Sequence, residues 1–395
     1  MNLGLNYISD QFVFWNLKKI TKGYLQLIDS RGKEYFFGDN YSSLKAKVKI
    51  NDPVFSLQLL KKGSSGLAES YIKNEFETED LSSLIELSAR NIEITYKFSG
   101  FFQFFLFKNF LNKNIFANTK ERSKKNISLH YDLGNEFFST WLDKTLTYSC
   151  GIFNSSKETL EKAQINKYNK LIDLIKPKPG DKILEIGCGW GGFAEHLAKN
   201  YDVKLDCITI SKKQFLFSKA RINHAKLNHK VNVRMLDYRD VNKKYDSIVS
   251  IEMIEAVGEK YLTHYFKTIK ENLVSGGRGA IQAIVIKDEL YDRYKTKEDF
   301  IQKYIFPGGF LPSIKSLKKY SNKSGLKIEE YHSYGSHYSS TLNKWRESFL
   351  NSWDDISRQG FNLSFKKMWD FYFAYCDAGF KSKNIDLVQF SLCNK

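Results

Sequence analysis

The chain has 395 residues, which suffices for two domains or one large domain with additions, and its 42% hydrophobic content can fill a substantial core. A net charge of +17 predicts attraction to anionic surfaces, either nucleic acid or acidic phospholipid. Nucleic acid is excluded as a partner, because no basic run is longer than Lys124-Lys125 or Lys318-Lys319 and no nucleic-acid module is recognisable. The five cysteines never form C-x-x-C, which argues against a metal site and a disulfide framework.

Residues 1–95 predict a small α+β domain. The stretches 12–15, 24–28 and 45–50 have the pattern of strands, and 53–60 and 64–72 have the pattern of helices. The N-terminus lacks the basic and then apolar pattern of a secretory leader, because an acidic residue precedes its first apolar stretch. We therefore expect a cytoplasmic, reduced protein.

Residues 96–125 predict a linker, within which the stretch 98–111 is strongly aromatic. This stretch is too short to span a bilayer, which takes about 20 apolar residues, and Lys108 interrupts it. One interpretation is an interfacial segment whose rings lie among lipid headgroups. The other is a buried linker helix, and the sequence leaves both open.

Residues 126–395 are organised around a glycine-rich turn. An apolar stretch at 183–186 predicts a buried strand, after which Gly187, Gly189 and Gly191 let the backbone turn sharply and lie close to a ligand. Further strands are predicted at 203–210, 231–236, 246–250, 279–286, 326–331 and 385–392, and helices at 159–175, 212–226, 260–273 (ended by Gly276-Gly277) and, largely, 345–380. The alternation predicts a doubly wound α/β sheet with its ligand at the carboxyl ends of the strands.

Two kinds of ligand fit this turn. The pattern Gly187-x-Gly189-x-x-Gly192 satisfies the dinucleotide fingerprint, which alone is weak. Glu185, however, precedes the turn, where it would repel a diphosphate but not the cationic amino acid end of S-adenosylmethionine. The next predicted strand ends in Thr209-Ile-Ser211, without the acid that usually binds a ribose in nicotinamide enzymes. These observations favour S-adenosylmethionine, with a dinucleotide as the alternative.

A series of ordered motifs resembles the cyclopropane fatty acid synthase family, which includes the mycolic acid cyclopropane synthases. The resemblance implies a Rossmann-like class I S-adenosylmethionine-dependent methyltransferase fold with a helical cap, and a small N-terminal domain similar to the lipid-associated domain of full-length bacterial members. The motifs are His130-Tyr-Asp132, Tyr148-Ser-Cys-Gly151, Glu185-x-Gly-Cys-Gly-Trp-Gly-Gly192, Thr209-Ile-Ser211 with Gln214, Asp237-Tyr-Arg-Asp240, Glu252-Met-Ile-Glu-Ala-Val-Gly258, Tyr304-Ile-Phe-Pro307, Tyr338 and Cys376-Asp-Ala-Gly-Phe380.

By this resemblance, the chain transfers the methyl of S-adenosylmethionine to a cis double bond in an acyl chain of a membrane phospholipid, and forms a cyclopropane. It would bind the anionic inner face of the membrane peripherally, and a homodimer is left open. One alternative is a fatty acid C-methyltransferase that gives a methyl or methylene branch. The alternative of another class is a lipid-binding protein with a decayed active site.

The resemblance also assigns residues to the cofactor. These are Tyr148 and Ser149 over the sulfonium, Glu185, Gly187, Cys188, Gly189 and Gly191 at the methionine end, Thr209, Ser211 and Gln214 in place of the usual ribose acid, and Tyr238 and Arg239 at the adenine.

A bound bicarbonate is implied too, as the base that removes a proton from the new methyl group. Four of the positions that hold it in the family are matched by Cys150, Glu255, Tyr338 and the backbone of Ile284. At the fifth, Gln282 stands where those members have histidine. Glutamine can donate a hydrogen bond but cannot carry a proton or a positive charge. This departure bears on ring closure more than on methyl transfer.

Two further matches carry a structural alternative. Cys376 matches a cysteine once named as a nucleophile in the family, but no histidine lies near it in the sequence to activate it. A small buried core residue is the more frequent role for such a cysteine. His130 either anchors the cap over the cofactor or satisfies a backbone group.

Overall fold

The computed structural model describes residues 3–96, 118–131, 133–296 and 298–394, without the side chains of residues 3, 124–125 and 128–131. The chain groups into two compact units. The first comprises the described parts of Met1–Ile115, Lys297–Ile305 and Trp353–Asn384, and the second those of Phe116–Thr296, Phe306–Ser352 and Ile385–Lys395. The aromatic stretch 98–111 lies outside the described residues, so both of its interpretations stay predictions.

The helices and strands follow one another along the chain in this order. Up to the glycine turn they are α1 (Leu3–Leu17), β1 (Tyr24–Ile28), β2 (Glu34–Gly38), β3 (Lys45–Ile50), α2 (Phe55–Lys62), α3 (Ser64–Ile72), β4 (Phe76–Thr78), α4 (Leu81–Arg90), α5 (Lys120–Tyr131), α6 (Asn135–Trp141), α7 (Leu160–Ile175) and β5 (Lys182–Ile186). After the turn they are α8 (Gly192–Asn200), β6 (Lys204–Thr209), α9 (Lys212–His224), β7 (Val231–Met235), β8 (Tyr245–Ile251), α10 (Leu262–Asn272), β9 (Leu273–Ile286), α11 (Asp288–Tyr294), α12 (Ile314–Lys323), β10 (Lys327–Ser333), α13 (Gly335–Asn351), α14 (Trp353–Arg358), α15 (Leu363–Lys381) and β11 (Ile385–Cys393).

The first unit is built on a four-stranded sheet of order β2-β1-β3-β4. β1 runs parallel to β3 and antiparallel to β2, and helix α1 contributes Val13 and Phe14 to the core. The prediction of a strand at 12–15 is therefore wrong. A short apolar run does not by itself distinguish a strand from a buried segment of helix, and here the run lies inside a 15-residue helix.

Helix α15 packs within the first unit. The hydroxyl of Tyr71 on α3 donates to Asp370 of α15 at 2.9 Å, and the side-chain amide of Asn384 donates to the carbonyl of Ala89 on α4 at 2.8 Å. The sequence placed this helical stretch in the methyltransferase domain. The contacts instead group Trp353–Asn384 with the N-terminal residues, because a helix is assigned to a unit by what its buried face meets rather than by its place in the chain.

The second unit contains a seven-stranded sheet of order β10-β11-β9-β8-β5-β6-β7. In the part of the sheet with the order β9-β8-β5-β6-β7, all neighbouring strands are parallel. β11 is antiparallel to both β9 and β10. The chain continues from β5 to β6 on one side and reaches β8 on the other, so the strand order reverses at β5. In open α/β sheets, ligands bind at the carboxyl ends of the strands at such a reversal. The predicted doubly wound fold is confirmed.

Apolar packing holds β5 and the helix after it in place. Leu171 of α7, Ile183 of β5, Leu197 of α8 and Val249 of β8 belong to one core cluster and are completely buried. Burying each such side chain contributes about 1.5–3 kcal/mol. The turn between β5 and α8 is therefore fixed at both of its ends by the core.

One boundary was predicted incorrectly. Helix α10 ends at Asn272 and β9 begins at Leu273, so Gly276 and Gly277 do not end the helix but lie inside the strand. Gly276 has φ +74°, and the pairing register with β8 shifts between Tyr245 and Ser247. Glycine inside a strand commonly marks such an irregularity.

No described helix of either unit combines the length and the apolar character that a bilayer crossing requires.

Candidate active site

The glycine turn at the end of β5 has the backbone conformation that the sequence predicted. Gly187, Gly189 and Gly191 have φ angles of +81°, +53° and +82°, which side chains other than glycine rarely adopt. A Cβ added to Gly187 would lie 2.9 Å from Met253, but one added to Gly189 would meet no atom within 4 Å. The turn therefore leaves open space above Gly189, where a ligand can approach the backbone.

Glu185 lies on β5 directly before this turn and is only 3% exposed. Burial raises the pKa of Glu185 to about 7. Its Oε2 atom accepts no hydrogen bond from any residue that the structure describes. A buried carboxyl group with an unused oxygen is suited to a cationic ligand, because burying an unpaired charge is costly. Glu185 and the open glycine turn thus fit the ammonium end of S-adenosylmethionine.

The residues predicted to replace the ribose acid form a hydrogen-bonded network at the start of α9. The Ser211 hydroxyl caps the helix by accepting from the backbone N–H of Gln214 at 3.3 Å, and the Thr209 hydroxyl donates to the side-chain oxygen of Gln214 at 2.9 Å. All three residues are buried. This network holds the Gln214 side chain in one orientation at the carboxyl end of β6.

Tyr238 and Arg239 follow β7 in a short 3₁₀ turn, also at the carboxyl edge. The guanidinium of Arg239 donates twice to Asp237, at 2.8 and 2.7 Å, and once to the carbonyl of Asn118 at 3.2 Å. The ring of Tyr238 packs edge-on against Tyr265 with centroids 5.5 Å apart. Arg239 thus positions the turn, and the Tyr238 ring is held at the carboxyl edge of the sheet.

Tyr148 belongs to an aromatic wall, which also includes Phe138, Trp141, Phe306 and Trp345. The ring centroids of these four residues lie 5.2–6.2 Å from that of Tyr148. Aromatic faces attract cations, so such a wall can stabilise positive charge on a bound ligand.

Three of the predicted catalytic residues converge on a residue that the sequence analysis did not single out, Glu252. The backbone N–H of Cys150 and the amide of Gln282 donate to its Oε1 at 2.9 and 2.7 Å. The Tyr338 hydroxyl donates to its Oε2 at 2.6 Å. Glu252 directly follows β8 and has a φ of +48°, a conformation that is rare for a residue with a side chain. Burial raises the pKa of Glu252, and these three donors and the charge of Lys167 oppose the rise.

The backbone N–H of Ile284 donates not to Glu252 but to Glu255, at 2.6 Å from its Oε1. The Oε2 atom of Glu255 has no hydrogen-bond partner within the described part of the chain. Burial and then the charge of Glu252 raise the pKa of Glu255 to about 8. Two neighbouring carboxyl groups do not both ionise readily, so Glu255 is the neutral member of the pair at pH 7.

Lys167 is a second residue that the sequence analysis missed. It is completely buried on α7, and its ammonium donates to the hydroxyl of Ser149 at 2.7 Å. Burial lowers the pKa of Lys167 to about 8, although the charges of nearby acidic groups, Glu252 first among them, oppose this. The signal was present in the helical spacing, since Lys167 lies between Ala163 and Leu171 on the buried face of α7.

Glu252 was missed for a different reason. It was quoted within a motif, but no local pattern indicates which groups its carboxyl meets. Its partners come from α13, from β9 and from the segment before α7. The signal that could have identified it is the presence of two acids, Glu252 and Glu255, close after β8, together with Gln282 where the resemblance implies a histidine.

The roles predicted for Cys376 and His130 stay predictions. Cys376 lies on α15 in the first unit, where burial raises the pKa of its thiol and so disfavours the thiolate that a nucleophile needs. The structure describes the backbone of His130 in α5 but not its side chain.

Cys188 is buried at the glycine turn, where its N–H, like that of Gly187, donates to the carbonyl of Ile208.

The donors predicted for bicarbonate are already engaged. Cys150, Gln282 and Tyr338 all donate to the carboxylate of Glu252. The remaining N–H, that of Ile284, donates to Glu255. A bicarbonate held by the same groups would have to displace the chain's own carboxylates, so the residues present do not fit a bound bicarbonate.

A doubly wound sheet with an open glycine turn at its strand reversal, and with a buried acid before that turn, defines a class I S-adenosylmethionine-dependent methyltransferase. Comparison with known proteins then identifies the family. Residues 118–390 match the mycolic acid cyclopropane synthetase family, and the chain belongs to that family. The resemblance recognised in the sequence is thereby confirmed, and the dinucleotide and decayed-site alternatives are set aside.

Individual relatives agree with this assignment. The chain is 34% identical over 338 residues to tuberculostearic acid methyltransferase UfaA1 of Mycobacterium tuberculosis, with 84% of this chain and 79% of that protein covered. It is 33% identical over 357 residues to the cyclopropane-fatty-acyl-phospholipid synthase of Escherichia coli, with 88% and 87% covered. Among solved structures, the cyclopropane synthase MmaA2 of M. tuberculosis superimposes with a TM-score of 0.65 at 28% identity and covers 68% of this chain and 98% of its own.

Proposed function

We propose that this methyltransferase transfers the methyl group of S-adenosylmethionine to the cis double bond of an unsaturated phospholipid acyl chain and forms a cyclopropane. The observation that carries the proposal is the position of Glu252 and Glu255 at the end of β8, beside the glycine turn that ends β5. β5 and β8 are hydrogen-bonded neighbours, so a methyl donor on one and a proton acceptor on the other lie side by side. Methylation of an alkene followed by ring closure requires both.

The residues of the chain have separable tasks in this reaction. S-adenosylmethionine supplies, when bound, an electrophilic methyl group on its sulfonium. An alkene is a weak nucleophile, so the double bond must be held close and in line. The aromatic wall around Tyr148 stabilises the positive charge that develops on the acyl chain. A carboxyl group at the end of β8 then accepts a proton while the surrounding rings exclude water.

The cofactor residues are proposed as follows. Glu185 pairs with the ammonium of S-adenosylmethionine, and the N–H groups around Gly189 approach its methionine part. The network at the start of α9 binds the ribose, and Tyr238 stacks on the adenine. The hydroxyl of Ser149 faces the sulfonium. Because its donors are engaged by Glu252, bicarbonate has no part in the proposal.

A second product is favoured by a specific observation. Tuberculostearic acid methyltransferase UfaA1 is 34% identical to this chain, and Gln282 departs from the histidine of the ring-forming members. After methyl transfer, a hydride shift along the acyl chain followed by proton loss from the methyl carbon gives a methylene branch. This route needs only the same base. A saturated methyl branch needs two further electrons from a reductant.

We also propose that the protein is cytoplasmic and binds the anionic inner face of the membrane peripherally. The supporting observations are the net charge of +17 and the exposed rings of the first unit, with Trp15 57% and Tyr41 97% exposed. Residues 1–95 would then belong to the lipid-associated domain, together with the later segments that group with them in the first unit, residues 96–125 would be the linker, and the second unit would be the catalytic domain. A homodimer stays a prediction that analytical ultracentrifugation tests.

The test uses the full chain, methyl-labelled S-adenosylmethionine and vesicles of an anionic phospholipid with one cis double bond per acyl chain. We expect release of S-adenosylhomocysteine and a labelled acyl chain that has gained one CH₂. The ring and the methylene branch have the same mass, so proton NMR of the released fatty acid distinguishes them. Absence of S-adenosylhomocysteine with unsaturated vesicles, or equal release with saturated vesicles, would refute the proposed function.

A further inference from the structure

The contacts of Glu252 define a base that belongs to the chain itself. We propose that the carboxylate of Glu252 removes the proton from the newly attached methyl group, in the position that the resemblance assigned to bicarbonate. This inference rests on the proposed function. It adds a catalytic residue that neither the sequence motifs nor the comparisons assign.

The carboxylate of Glu252 accepts the hydrogen bonds that were expected to bind an anion. A backbone N–H, a side-chain amide and a phenol hydroxyl donate to its two oxygens over 2.6–2.9 Å. These donors come from Cys150, Gln282 and Tyr338, three of the positions that the family uses for bicarbonate. Because Glu252 has φ +48°, its side chain leaves the end of β8 in a direction that an ordinary strand residue would not take.

A glutamine at position 282 is chemically suited to a neighbouring carboxylate that belongs to the chain. A histidine could carry a positive charge or exchange its proton with a neighbouring anion, whereas glutamine only donates a neutral hydrogen bond. Gln282 is completely buried, and its side-chain oxygen accepts from Gln389 at 2.8 Å, so its NH₂ group faces Glu252. Glu252 and Gln282 together replace a bound bicarbonate by a carboxylate that belongs to the chain.

The neighbouring acid supports this assignment of roles. Among the described residues, Oε2 of Glu255 has no hydrogen-bond partner, and its Oε1 accepts from the backbone N–H of Ile284, so no side chain donates to this carboxyl group in the way that Gln282 and Tyr338 donate to Glu252. Glu252 has three donors. Of the two groups, Glu252 therefore ionises more readily and is the one that accepts the proton.

The proposed step balances without any other reactant. Methyl transfer breaks the carbon–sulfur bond, whose electron pair stays on sulfur, and the alkene electron pair forms the new carbon–carbon bond. An oxygen of Glu252 then takes one hydrogen of the methyl group as a proton. The electron pair of that carbon–hydrogen bond closes the ring. Glu252 is left as a neutral acid and releases its proton to solvent once the product has left the site.

The main test is Glu252→Gly, because glycine accepts the backbone conformation at this position and leaves a space lined by the three donors. In buffer freed of carbon dioxide, we expect the wild type to form product at its full rate and the variant to lose at least about 100-fold. Added bicarbonate should restore part of the activity of the variant and leave the wild type unchanged. Lys226→Gly, at an exposed loop residue that also has a positive φ (+59°), is the matched control and should keep full activity.

A binding measurement supplements these rates. Carbon-13 NMR of labelled bicarbonate should detect binding to Glu252→Gly and not to the wild type. Glu252→Gln, which keeps the shape but cannot accept the proton, should lose activity to a similar degree and should not be restored. Thermal unfolding of each variant shows that it is folded.

The inference is overturned if the wild type needs bicarbonate, if it binds labelled bicarbonate as Glu252→Gly does, or if Glu252→Gln keeps activity within a few-fold. Each of these outcomes leaves the proposed function intact, because the wild type still forms product. Absence of any product from the wild type with unsaturated vesicles would instead contradict the proposed function.

Discussion

Gln282 and Gln389 face each other on the paired strands β9 and β11, and the amide of Gln389 donates to the side-chain oxygen of Gln282 at 2.8 Å. This contact fixes which end of the Gln282 amide points to Glu252. The orientation of Gln282 toward Glu252 is thus set by Gln389, a residue on the last strand that touches neither carboxylate.

The first prediction concerns this contact. Gln389→Met keeps the volume but leaves the buried oxygen of Gln282 without a donor, which costs about 1–3 kcal/mol of unfolding free energy. The freed Gln282 no longer holds Glu252 in one orientation, so we expect kcat to fall several-fold while KM for S-adenosylmethionine is unchanged. Denaturant unfolding and steady-state kinetics measure the two effects.

The matched control is Ser391→Ala, since Ser391 is buried on the same strand and its hydroxyl accepts from the backbone of Glu330 at 3.1 Å. It should lower stability without changing kcat. If Gln389→Met is destabilised but turns over at the wild-type rate, Gln389 does not orient Gln282 for catalysis.

The second prediction concerns the glycine turn. Gly189→Ala places a methyl group in the open space above the turn, so we expect the affinity for S-adenosylmethionine to fall at least about tenfold, or roughly 1.4 kcal/mol. The positive φ at this position adds a strain of about 1–2 kcal/mol for any L residue. Calorimetry measures the affinity and thermal unfolding the strain.

Gly180→Ala separates the two effects. Gly180 has φ +87°, and its added Cβ would meet no atom within 4 Å, but it precedes β5 at the opposite end from the turn. It should be destabilised to a similar degree and bind S-adenosylmethionine normally. Equal affinity in both variants would show that the space above Gly189 is not part of the cofactor site.

The sequence predicted the parts of this site whose residues are consecutive in the chain, and missed those whose residues are far apart. The strand, the glycines and the following helix are consecutive in the chain, so their pattern alone predicts the turn and its ligand. Cys150 and Tyr338 were found only through the resemblance. They are far apart in the sequence and meet at Glu252 because β8, β9 and α13 come together in the folded chain. A pattern of consecutive residues carries no information about such a meeting.

Two errors have the same physical origin. The stretch 12–15 has the composition of a strand, yet it lies in the C-terminal half of α1, where Val13 and Phe14 pack into the core of the first unit. Lys167 was passed over as one more charged residue in a chain with many, although its helical position is on the buried face of α7. Tertiary packing decided the first case, and burial decides the chemistry of the second.

The third prediction concerns pH. Glu185 has a pKa of about 7 in the free protein, so below that pH it is neutral and must lose a proton to pair with an ammonium group. We expect the affinity for S-adenosylmethionine to fall by up to about tenfold for each pH unit below 7. Glu185→Gln should bind weakly and show less of this dependence. Calorimetry on either side of pH 7 measures both proteins.

The raised pKa of Glu185 also predicts how the stability of the free protein depends on pH. The pKa of Glu185 is raised from 4.5 to about 7, so its contribution to stability is fully present below 4.5 and is lost as the pH rises through about 7. Bound S-adenosylmethionine should oppose that loss. A wild-type affinity that is constant from pH 5 to pH 7 would show that Glu185 does not pair with the cofactor.

The last prediction concerns Lys167, whose buried charge lowers the pKa of Glu252 and of Glu185 against the effect of their burial. Lys167→Met removes this charge but keeps an unbranched side chain in the same space. The pKa of Glu252 should rise, so the acidic limb of the pH profile of kcat should move to higher pH. Product formation measured across pH with saturating S-adenosylmethionine reports the shift. Lys170→Met, at an exposed position on the same helix, is the control and should leave the profile in place. If Lys167→Met lowers kcat by the same factor at every pH, Lys167 acts through packing and its hydrogen bond to Ser149 rather than through the charge it presents to Glu252.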